Sequence, residues 1–316
     1  MRQYMGMVVL LFLGLSSCLE PIDIPVPEQT PQAVAIANFN PDDFIRVFVS
    51  REKSVNSTDS TIYITDASVG ILLNDRVQGR FTFVPAKGEY PNAPYYRSNF
   101  KPRSGRSYTL AVEIPDNPPL LATNSIPTPV PIEEIEVDSV VVDYPFLDRT
   151  TAVYTFFGKI KIFDPPGVDN FYHLAEVLVP IDWYSLSQGD TCCIQFNRDT
   201  IRSPVSILDS QDPAFLALIQ EDGFVFTDRD FDGEAKRIPY RSAVTVNTGF
   251  ELVSRLQVEL RSVSGDYYRY HSSFTRQLAA RESPLAEPVI IFDNVENGLG
   301  NFSGYSIARD SVSLAR

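Results

Sequence analysis

The stretch YTFFGKIKIF, residues 154–163, indicates the fold class, because lysine and apolar side chains alternate through its second half. Such alternation places one row of side chains on a buried face and the other in solvent, as in a β-strand. A second apolar run, residues 171–179, follows after the turn-forming segment DPPGVDN, residues 164–170. The sequence therefore predicts that the two runs pair as a β-hairpin across this turn.

Strand signals recur on both sides of this stretch. After it, residues 254–264 alternate leucine and valine with charged or polar residues; before it, short runs rich in β-branched and aromatic residues are separated by turn residues. The earlier runs are residues 44–49, 61–64, 68–73, 80–84 and 107–114. The chain is therefore expected to be mostly β. Residues 32–126 are expected to form an immunoglobulin-like β-sandwich, and a larger β-rich domain is expected over residues 132–316. The proline-rich residues 127–131 are the expected linker.

Two segments of the second domain carry helix signals. Asp212 and Pro213 are typical of the cap and first turn of a short helix over residues 214–221. Asp266 is expected to cap a longer helix that ends near Arg281. Large apolar side chains recur on the longer helix at spacings of three and four, which favours core packing over a binding face. They are Tyr267, Tyr270, Phe274 and Leu278.

The start of the chain has the pattern of an exported lipoprotein. Arg2 precedes a short apolar run, which ends in Leu15-Ser16-Ser17-Cys18. A basic start, an apolar core and small residues before a cut are typical of a secretory signal peptide, here residues 1–17. The last four residues resemble the lipobox of bacterial lipoproteins, which predicts that Cys18 becomes the lipid-bearing first residue. Several acyl chains hold a protein firmly on a membrane. The alternative is an ordinary signal peptide with a chance cysteine.

Residues 18–31 are expected to be a lipidated tether. The segment is rich in proline and acidic residues, a composition that favours extended, semi-rigid chain. Leu19 is not the aspartate that signals inner-membrane retention by the enterobacterial rule. The acidic residues behind Cys18 resemble the surface-export signal of Bacteroidota lipoproteins. The expected location is thus the outer membrane, with the body facing the cell surface; a periplasmic orientation is the alternative.

The net charge of the chain limits which classes of molecule it is expected to bind. Removing residues 1–17 removes one charge, Arg2, from a chain of net charge −13, so the mature chain carries −14. Such a chain repels phosphate backbones, and nucleic acid is an unsuitable partner.

Cys192 and Cys193 are adjacent in an apparent strand, and the sequence leaves open whether they form a vicinal disulfide. A metal site with His173 or His271 lacks ligand spacing, and each histidine is expected to make local hydrogen bonds.

Two loop motifs have some features of ligand-binding sites. Asp228, Asp230 and Asp232, followed by Gly233, fit the first half of a calcium loop. Position twelve, where a bidentate glutamate belongs, is Pro239, so a solvated acidic turn is the favoured interpretation. The glycine-rich residues 297–304 lack the spacing of a dinucleotide fingerprint and are predicted to form a loop.

Several short motifs occur in the same order as in a known family. They are 66–69, 105–110, 163–172, 231–233, 287–294 and 298–305. Together with the lipobox, they resemble the Bacteroidota lipoprotein family labelled domain of unknown function 4249, over essentially all of the mature chain. The resemblance implies an envelope location and association with outer-membrane receptors of the TonB-dependent type. It implies no catalytic residues.

The functional expectation follows from these points. The sequence contains no Gly-x-Ser-x-Gly or His-Glu-x-x-His motif and no complete metal set, so it is not expected to be an enzyme. The expected function is an accessory binding lipoprotein beside a TonB-dependent transporter in nutrient capture, with unknown ligand-binding residues. The alternatives are a structural or adhesive surface lipoprotein, and a surface hydrolase that uses carboxylates or a bound cation.

Overall fold

The computed structural model confirms a mostly β protein. It describes residues 31–53, 60–86, 93–147, 149–186, 194–207, 214–218, 223–247, 251–282, 286–287 and 289–314. Residues 32–316 form one compact unit. The signal peptide and tether before residue 31 lie outside the described residues, as do Asp212, Pro213 and the two adjacent cysteines, Cys192 and Cys193.

In the described part of the chain, seven strands precede the proline-rich residues 127–131. They are β1 (Ala33–Phe39), β2 (Arg46–Arg51), β3 (Ser68–Leu73), β4 (Arg76–Val84), β5 (Tyr95–Ser98), β6 (Ser107–Glu113) and β7 (Leu120–Ser125). Buried and partly exposed residues alternate along β1, as expected for a strand with one face on a core. The immunoglobulin-like topology stays a prediction.

The remaining strands and one helix follow the proline-rich segment. They are β8 (Ile132–Asp143), β9 (Thr151–Phe163), β10 (Phe171–Leu186), β11 (Ile194–Ile207), β12 (Phe215–Ala217), β13 (Phe224–Thr227), β14 (Ala235–Asn247), β15 (Glu251–Val253), β16 (Arg255–Val263), α1 (Gly265–Arg281) and β17 (Leu299–Ser313). Among the described residues, no helix has the length and apolar character needed to cross a membrane.

Ladder pairing links the strands into one network. Its order is β8-β9-β14-β11-β10-β16-β17-β1-β2-β5-β4-β3-β6-β7. Two short strands, β13 and β15, pair with β10, and β12 pairs with β13. Among the described residues, three buried apolar clusters lie along this network. The first core contains side chains mainly from β1–β7, the second core contains side chains mainly from β8–β16, and a small third cluster lies around Tyr267 of α1. The two-domain division at residues 127–131 stays a prediction.

Strand β17 joins both parts of the network. Its first half pairs in parallel with β1, and its second half pairs antiparallel with β16. Phe302 of β17 lies in the first core, where its ring stacks on Phe39 with centroids 4.3 Å apart. The predicted loop over residues 297–304 is therefore wrong, because from Leu299 onward this segment is a strand. Glycine at position 300 allows the backbone of β17 to lie close to that of β1, because a Cβ on Gly300 would lie 2.0 Å from the carbonyl oxygen of Ala35.

The predicted hairpin of residues 154–163 with 171–179 is also wrong. Both runs are strands, but β9 pairs with β8 and β14, whereas β10 pairs with β11, β13, β15 and β16. The turn at residues 164–170 instead connects two different parts of the network, whose side chains meet in the second core. Phe156 of β9 and Leu174 of β10 are both fully buried there. Burial of both runs in one core explains the apolar patterns without direct pairing.

The helix predictions were correct in part. A helix ends at Arg281 as expected, but its N-cap is Ser264, whose hydroxyl accepts a hydrogen bond from the Tyr267 amide. The predicted cap, Asp266, lies in the first turn and accepts hydrogen bonds from Asn124 and Asn294. The short helix expected over residues 214–221 is contradicted, since Phe215–Ala217 is a strand that pairs with β13. Aromatic packing of Phe215 on β13 overrides the local helix signal.

Candidate functional site

An apolar groove lies between the outer face of strands β1 and β2 and one side of helix α1. Its volume is about 790 Å3. The odd-numbered residues of β1 point into the core, whereas Val34 and Ile36 point outward and form the floor together with Phe48 of β2. Strand β1 is thus apolar on both faces, although the outward face of a surface strand is usually polar.

Aromatic side chains form the walls of the groove. Tyr270 and Phe274 project from α1, and Tyr63 lies on the opposite side, next to β2 through its bridge to Ser50. These three side chains are half-buried. Residues 289–293 border the helix, where the Val289 amide donates a hydrogen bond to Gln277. The groove is therefore a formed concavity of the size that small-molecule sites have in proteins.

The large apolar side chains of helix α1 lie partly in the core and partly in the groove. Tyr267 is buried, as the sequence predicted, and packs near Val263 and Val225. Tyr270 and Phe274 instead line the groove with part of their rings exposed. The spacing of these residues was the sequence signal for a site here, but spacing alone does not distinguish a groove wall from a core face.

Charges differ between the two ends of the groove. Asn38 of β1 contacts His271 near the start of α1, so the helix runs antiparallel to β1, and its C-terminal Arg281 lies towards the start of that strand. The β1–β2 register pairs Arg51 with Ala33 on the core-facing side of the strands, and the Arg51 guanidinium donates a hydrogen bond to Asn117 there. Among the described residues that line the groove, the cationic side chains at this end are therefore Lys53 and Arg281.

One acidic side chain, Glu52, lies at the same end of the groove. Among the described residues there, Lys53, Arg281 and Glu52 together carry a formal charge of +1. The negative end of the helix dipole adds about half an elementary charge and does not reverse this sign. Asp293 lies at the opposite end, since the neighbouring Asn294 binds Asp266 in the first turn of α1.

Both histidines make hydrogen bonds, as the sequence predicted, but their partners are distant in the chain and both rings lie in the protein interior. His173 is fully buried, and its Nδ1 lies 3.0 Å from the Tyr267 hydroxyl. His271 is 4% exposed and its Nε2 lies 3.1 Å from Nδ2 of Asn38. Burial, with a smaller effect of the nearby Arg261 charge, lowers the pKa of His271 to about 4. A neutral, buried His271 is unavailable as a surface general base.

A second cluster contains two of the three predicted calcium residues. The pairings of Phe163 with Ala235 and of Phe171 with Thr227 place loop 164–170 beside loop 228–234. Carboxylate oxygens of Asp164, Asp228 and Asp232 lie within 4.8 Å of one another. Asp230 is exposed and lies outside this group.

Sequence spacing could not reveal Asp164, because it comes from the other loop. A contiguous calcium loop supplies its ligands from one segment, whereas these three carboxylates come from two. The motif at residues 163–172 was noticeable in the sequence, but only as part of a family resemblance.

Hydrogen bonds already engage these carboxylates. Asp164 is fully buried and accepts from the Tyr172 hydroxyl and the Gly233 amide. Asp228 accepts from the Asn170 amide at 2.7 Å, and Asp232 accepts from the Gly167 amide at 2.8 Å. Burial raises the pKa of Asp228, and the Asp164 charge contributes in the same direction. Three carboxylates supply fewer than the six to eight oxygens that Ca2+ takes. The cluster therefore fits a hydrogen-bonded link between loops 164–170 and 228–234, here called the loop tie, better than a calcium site.

Cys18, the predicted lipidation site, and the Cys192–Cys193 pair lie outside the residues that the structure describes.

One comparison with known proteins identifies a family. The family described as Domain of unknown function (DUF4249) matches residues 19–311 of the chain. No curated protein matches the chain.

Proposed function

The chain belongs to the DUF4249 family, and from this premise we propose that it is an outer-membrane-anchored accessory binding lipoprotein that acts beside a TonB-dependent transporter in nutrient capture. The groove between β1, β2 and α1 is the observation that carries the binding role. Its volume of about 790 Å3 lies within the 300–1,000 Å3 typical of small-molecule sites. It is lined by aromatic and aliphatic side chains, with charged residues at its ends.

The location proposed for this binding site follows from the start of the chain. The lipobox-like residues 15–18 predict acyl chains on Cys18, and the proline-rich segment behind it predicts a tether. A tethered body near a membrane surface can present a ligand to a transporter in the same membrane. The resemblance to Bacteroidota lipoproteins supplies the receptor as the expected partner, which is an analogy at the level of the family.

A structural or adhesive role is the second candidate, and one surface favours it. The hairpin between β8 and β9 exposes Tyr144, Phe146 and Leu147, and the end of β8 exposes Val140, Val141 and Val142. Among the described strands, β8 pairs only with β9, so its other edge is available for another strand. Apolar surface beside such an edge is typical of contact with another protein.

The two roles are distinguished by purification from native outer membranes in mild detergent, with a tag after Arg316. The binding role predicts stoichiometric recovery of a large β-barrel receptor and a growth defect of a deletion strain on a particular nutrient. Cys18→Ala is the matched control and should lose both the membrane fraction and the receptor. Recovery of the lipoprotein alone, with normal growth on every nutrient, would contradict the binding role.

The absence of enzymatic activity is part of the same proposal. Both histidines are buried, and the clustered aspartates bind backbone amides of the adjoining loops. The test is incubation of the purified protein with glycan and peptide libraries. Turnover that disappears in Asp228→Asn or Asp230→Asn would establish the hydrolase alternative instead.

A further inference from the structure

We infer that strand β8 pairs with β8 of a second copy of this chain, antiparallel and about a twofold axis at Val141, and that the protein forms a weak dimer through this edge. The inference goes beyond the proposed binding function and does not depend on the groove or its ligand. It rests on the unprotected second half of β8, the match of this edge to itself, and the apolar area beside it.

The second half of β8 is an unprotected strand edge. Among the described strands, β8 pairs only with β9, and register shifts leave Glu133 and Asp138 without a partner residue on β9. Bulges and charged side chains are the usual means by which a sheet edge avoids pairing with another chain. Residues 139–143 then pair regularly with residues 153–157, and none of residues 139–142 is charged. The protection of this edge therefore ends at Asp138.

Valine side chains on the core side of this edge are left uncovered. Val140 and Val142 pair with Phe156 and Tyr154 of β9, on the face of the sheet that holds the second core. Phe156 is fully buried, whereas Val140 is 39% and Val142 is 38% exposed. A further strand at this edge would cover both valines, and their burial would favour its binding.

The charges of β8 do not call for a partner of opposite charge. Most of its carboxylates already form ion pairs with cations of β9 and β14 in the same sheet. The pairs are Glu133–Lys161, Asp138–Lys159, Glu134–Arg237 and Glu136–Arg237. An uncharged apolar strand is therefore a suitable partner, and residues 139–142 of a second copy are such a strand.

One register matches this edge to itself. In an antiparallel pair about a twofold axis at Val141, Val140 lies opposite Val142 of the second copy, and Ser139 lies opposite Asp143 of the second copy. Carboxylates then face neither each other nor a valine, and the serine hydroxyl is a donor for the carboxylate. Moving the axis by one residue in either direction would place Asp138 or Asp143 opposite a valine.

The exposed apolar area is sufficient for a weak dimer. The large apolar side chains exposed at this end of the β8–β9 hairpin are Val140, Val141, Val142, Tyr144, Phe146 and Leu147. Six such side chains present on the order of 600 Å2 per copy, so two copies would bury roughly 1,200 Å2. This area is at the lower limit for specific interfaces, and it predicts a dissociation constant on the order of 10–100 μM.

The test is analytical ultracentrifugation of the chain from residue 19 onward, which includes the compact unit of residues 32–316 and needs no detergent. We expect a reversible monomer–dimer equilibrium between about 1 and 500 μM, a range that includes the expected dissociation constant. Without Arg2 the chain carries −14 instead of −13, so two copies repel each other at long range. Salt screens this repulsion, and the dimer should be tighter in about 500 mM than in about 50 mM salt.

Two lysine substitutions on the same strand distinguish this register from general apolar association. Val141→Lys places two cations opposite each other and should weaken the dimer more than about tenfold. Ser139→Lys places a cation opposite Asp143 of the second copy and should leave the dimer unchanged or tighten it up to about threefold. Val77→Lys, at an exposed valine of β4, is the matched control and should have no effect. All three variants change the net charge equally.

Several results would overturn the inference. A wild-type chain that stays monomeric over the whole concentration range would do so, as would equal weakening by both lysines of β8 or no weakening by Val141→Lys. Thermal melting of every variant verifies that it is folded. Recovery of the receptor from native membranes is measured separately. A monomeric wild-type chain, together with loss of the receptor in Val141→Lys, would assign this edge to the receptor instead of a second copy.

Discussion

Nδ2 of Asn38 lies 3.1 Å from Nε2 of His271 and links strand β1 to helix α1 across 233 positions of sequence. The Asn38 carbonyl oxygen accepts hydrogen bonds from Asn301 and Ser303, which fixes the orientation of the amide. Its nitrogen must therefore donate to His271, whose Nε2 accepts as a neutral ring. This pair lies between the sheet and the helix that together form the groove, so the charge state of His271 affects how firmly the helix is held.

We expect stability to fall below about pH 6.5 because of His271. Its pKa is about 4 in the folded protein and near 6.5 in an unfolded chain, so the unfolded state binds more protons between these values. The stability is fully present above pH 6.5 and is lost as the pH falls towards 4, by up to about 3 kcal/mol. Urea unfolding between pH 4 and 7 measures this loss of unfolding free energy. His271→Gln, which retains an acceptor for Asn38, should reduce the pH dependence; an identical slope in both proteins would contradict the prediction.

We expect Glu259→Gln to reduce the free energy of unfolding by about 2–3 kcal/mol. Glu259 is 1% exposed and binds Arg261 at 2.9 Å and Arg309, its partner across strands β16 and β17, at 2.6 Å. The substitution leaves two guanidinium groups without their carboxylate, but Arg309 remains 36% exposed and is partly solvated. The matched control is Glu134→Gln in a surface pair, which should cost less than about 1 kcal/mol. Equal losses would show that burial does not decide the effect.

Gly300→Ala should destabilise the protein far more than Gly105→Ala. Both glycines have positive φ values, but a Cβ at Gly105 would meet nothing within 4 Å, whereas at Gly300 it would overlap the carbonyl oxygen of Ala35. The Gly105 change should cost about 1 kcal/mol from backbone strain alone. The Gly300 change separates β17 from β1 and should cost several times as much, or prevent folding. Thermal melting of both variants measures this difference in stability. Similar melting temperatures would count against the β1–β17 pairing.

We expect calcium to leave the melting temperature unchanged. The carboxylates of Asp164, Asp228 and Asp232 already accept hydrogen bonds from the two adjoining loops. Because burial raises the pKa of Asp228, its charge opposes folding once the pH exceeds that pKa, so Asp228→Asn should raise stability at neutral pH. Thermal melting with and without millimolar calcium is the measurement. A calcium-dependent rise that Asp228→Asn abolishes, but Asp230→Asn does not, would identify a cation site in place of the loop tie.

Labelling with a palmitate analogue in the native host should mark the wild-type chain at Cys18. Cys18→Ala should lose both the label and the membrane association, because the acyl chains are the predicted anchor. Persistent labelling of Cys18→Ala, or its continued fractionation with membranes, would refute lipidation at this position.

Local pattern was sufficient to locate many elements. Strand β3 spans Ser68–Leu73 as its β-branched run indicates, and helix α1 ends at Arg281 as its apolar spacing indicates. These patterns indicate which side chains are buried, because buried side chains recur along a strand or a helix with the period of that element. The same pattern misassigned Phe215–Ala217, where contacts with Phe224 and Phe226 outweigh a helix cap signal.

The sequence by itself determined that this protein is mostly β and that a helix ends near Arg281. Each of these follows from composition or from periodicity within one element. Only the tertiary structure decided that residues 299–304 pair with β1, that Asp164 joins Asp228 and Asp232, and that Tyr270 and Phe274 line a groove. The physical reason is that strand pairing and side-chain clustering join positions far apart in the chain, and such contacts leave no regular spacing in the sequence.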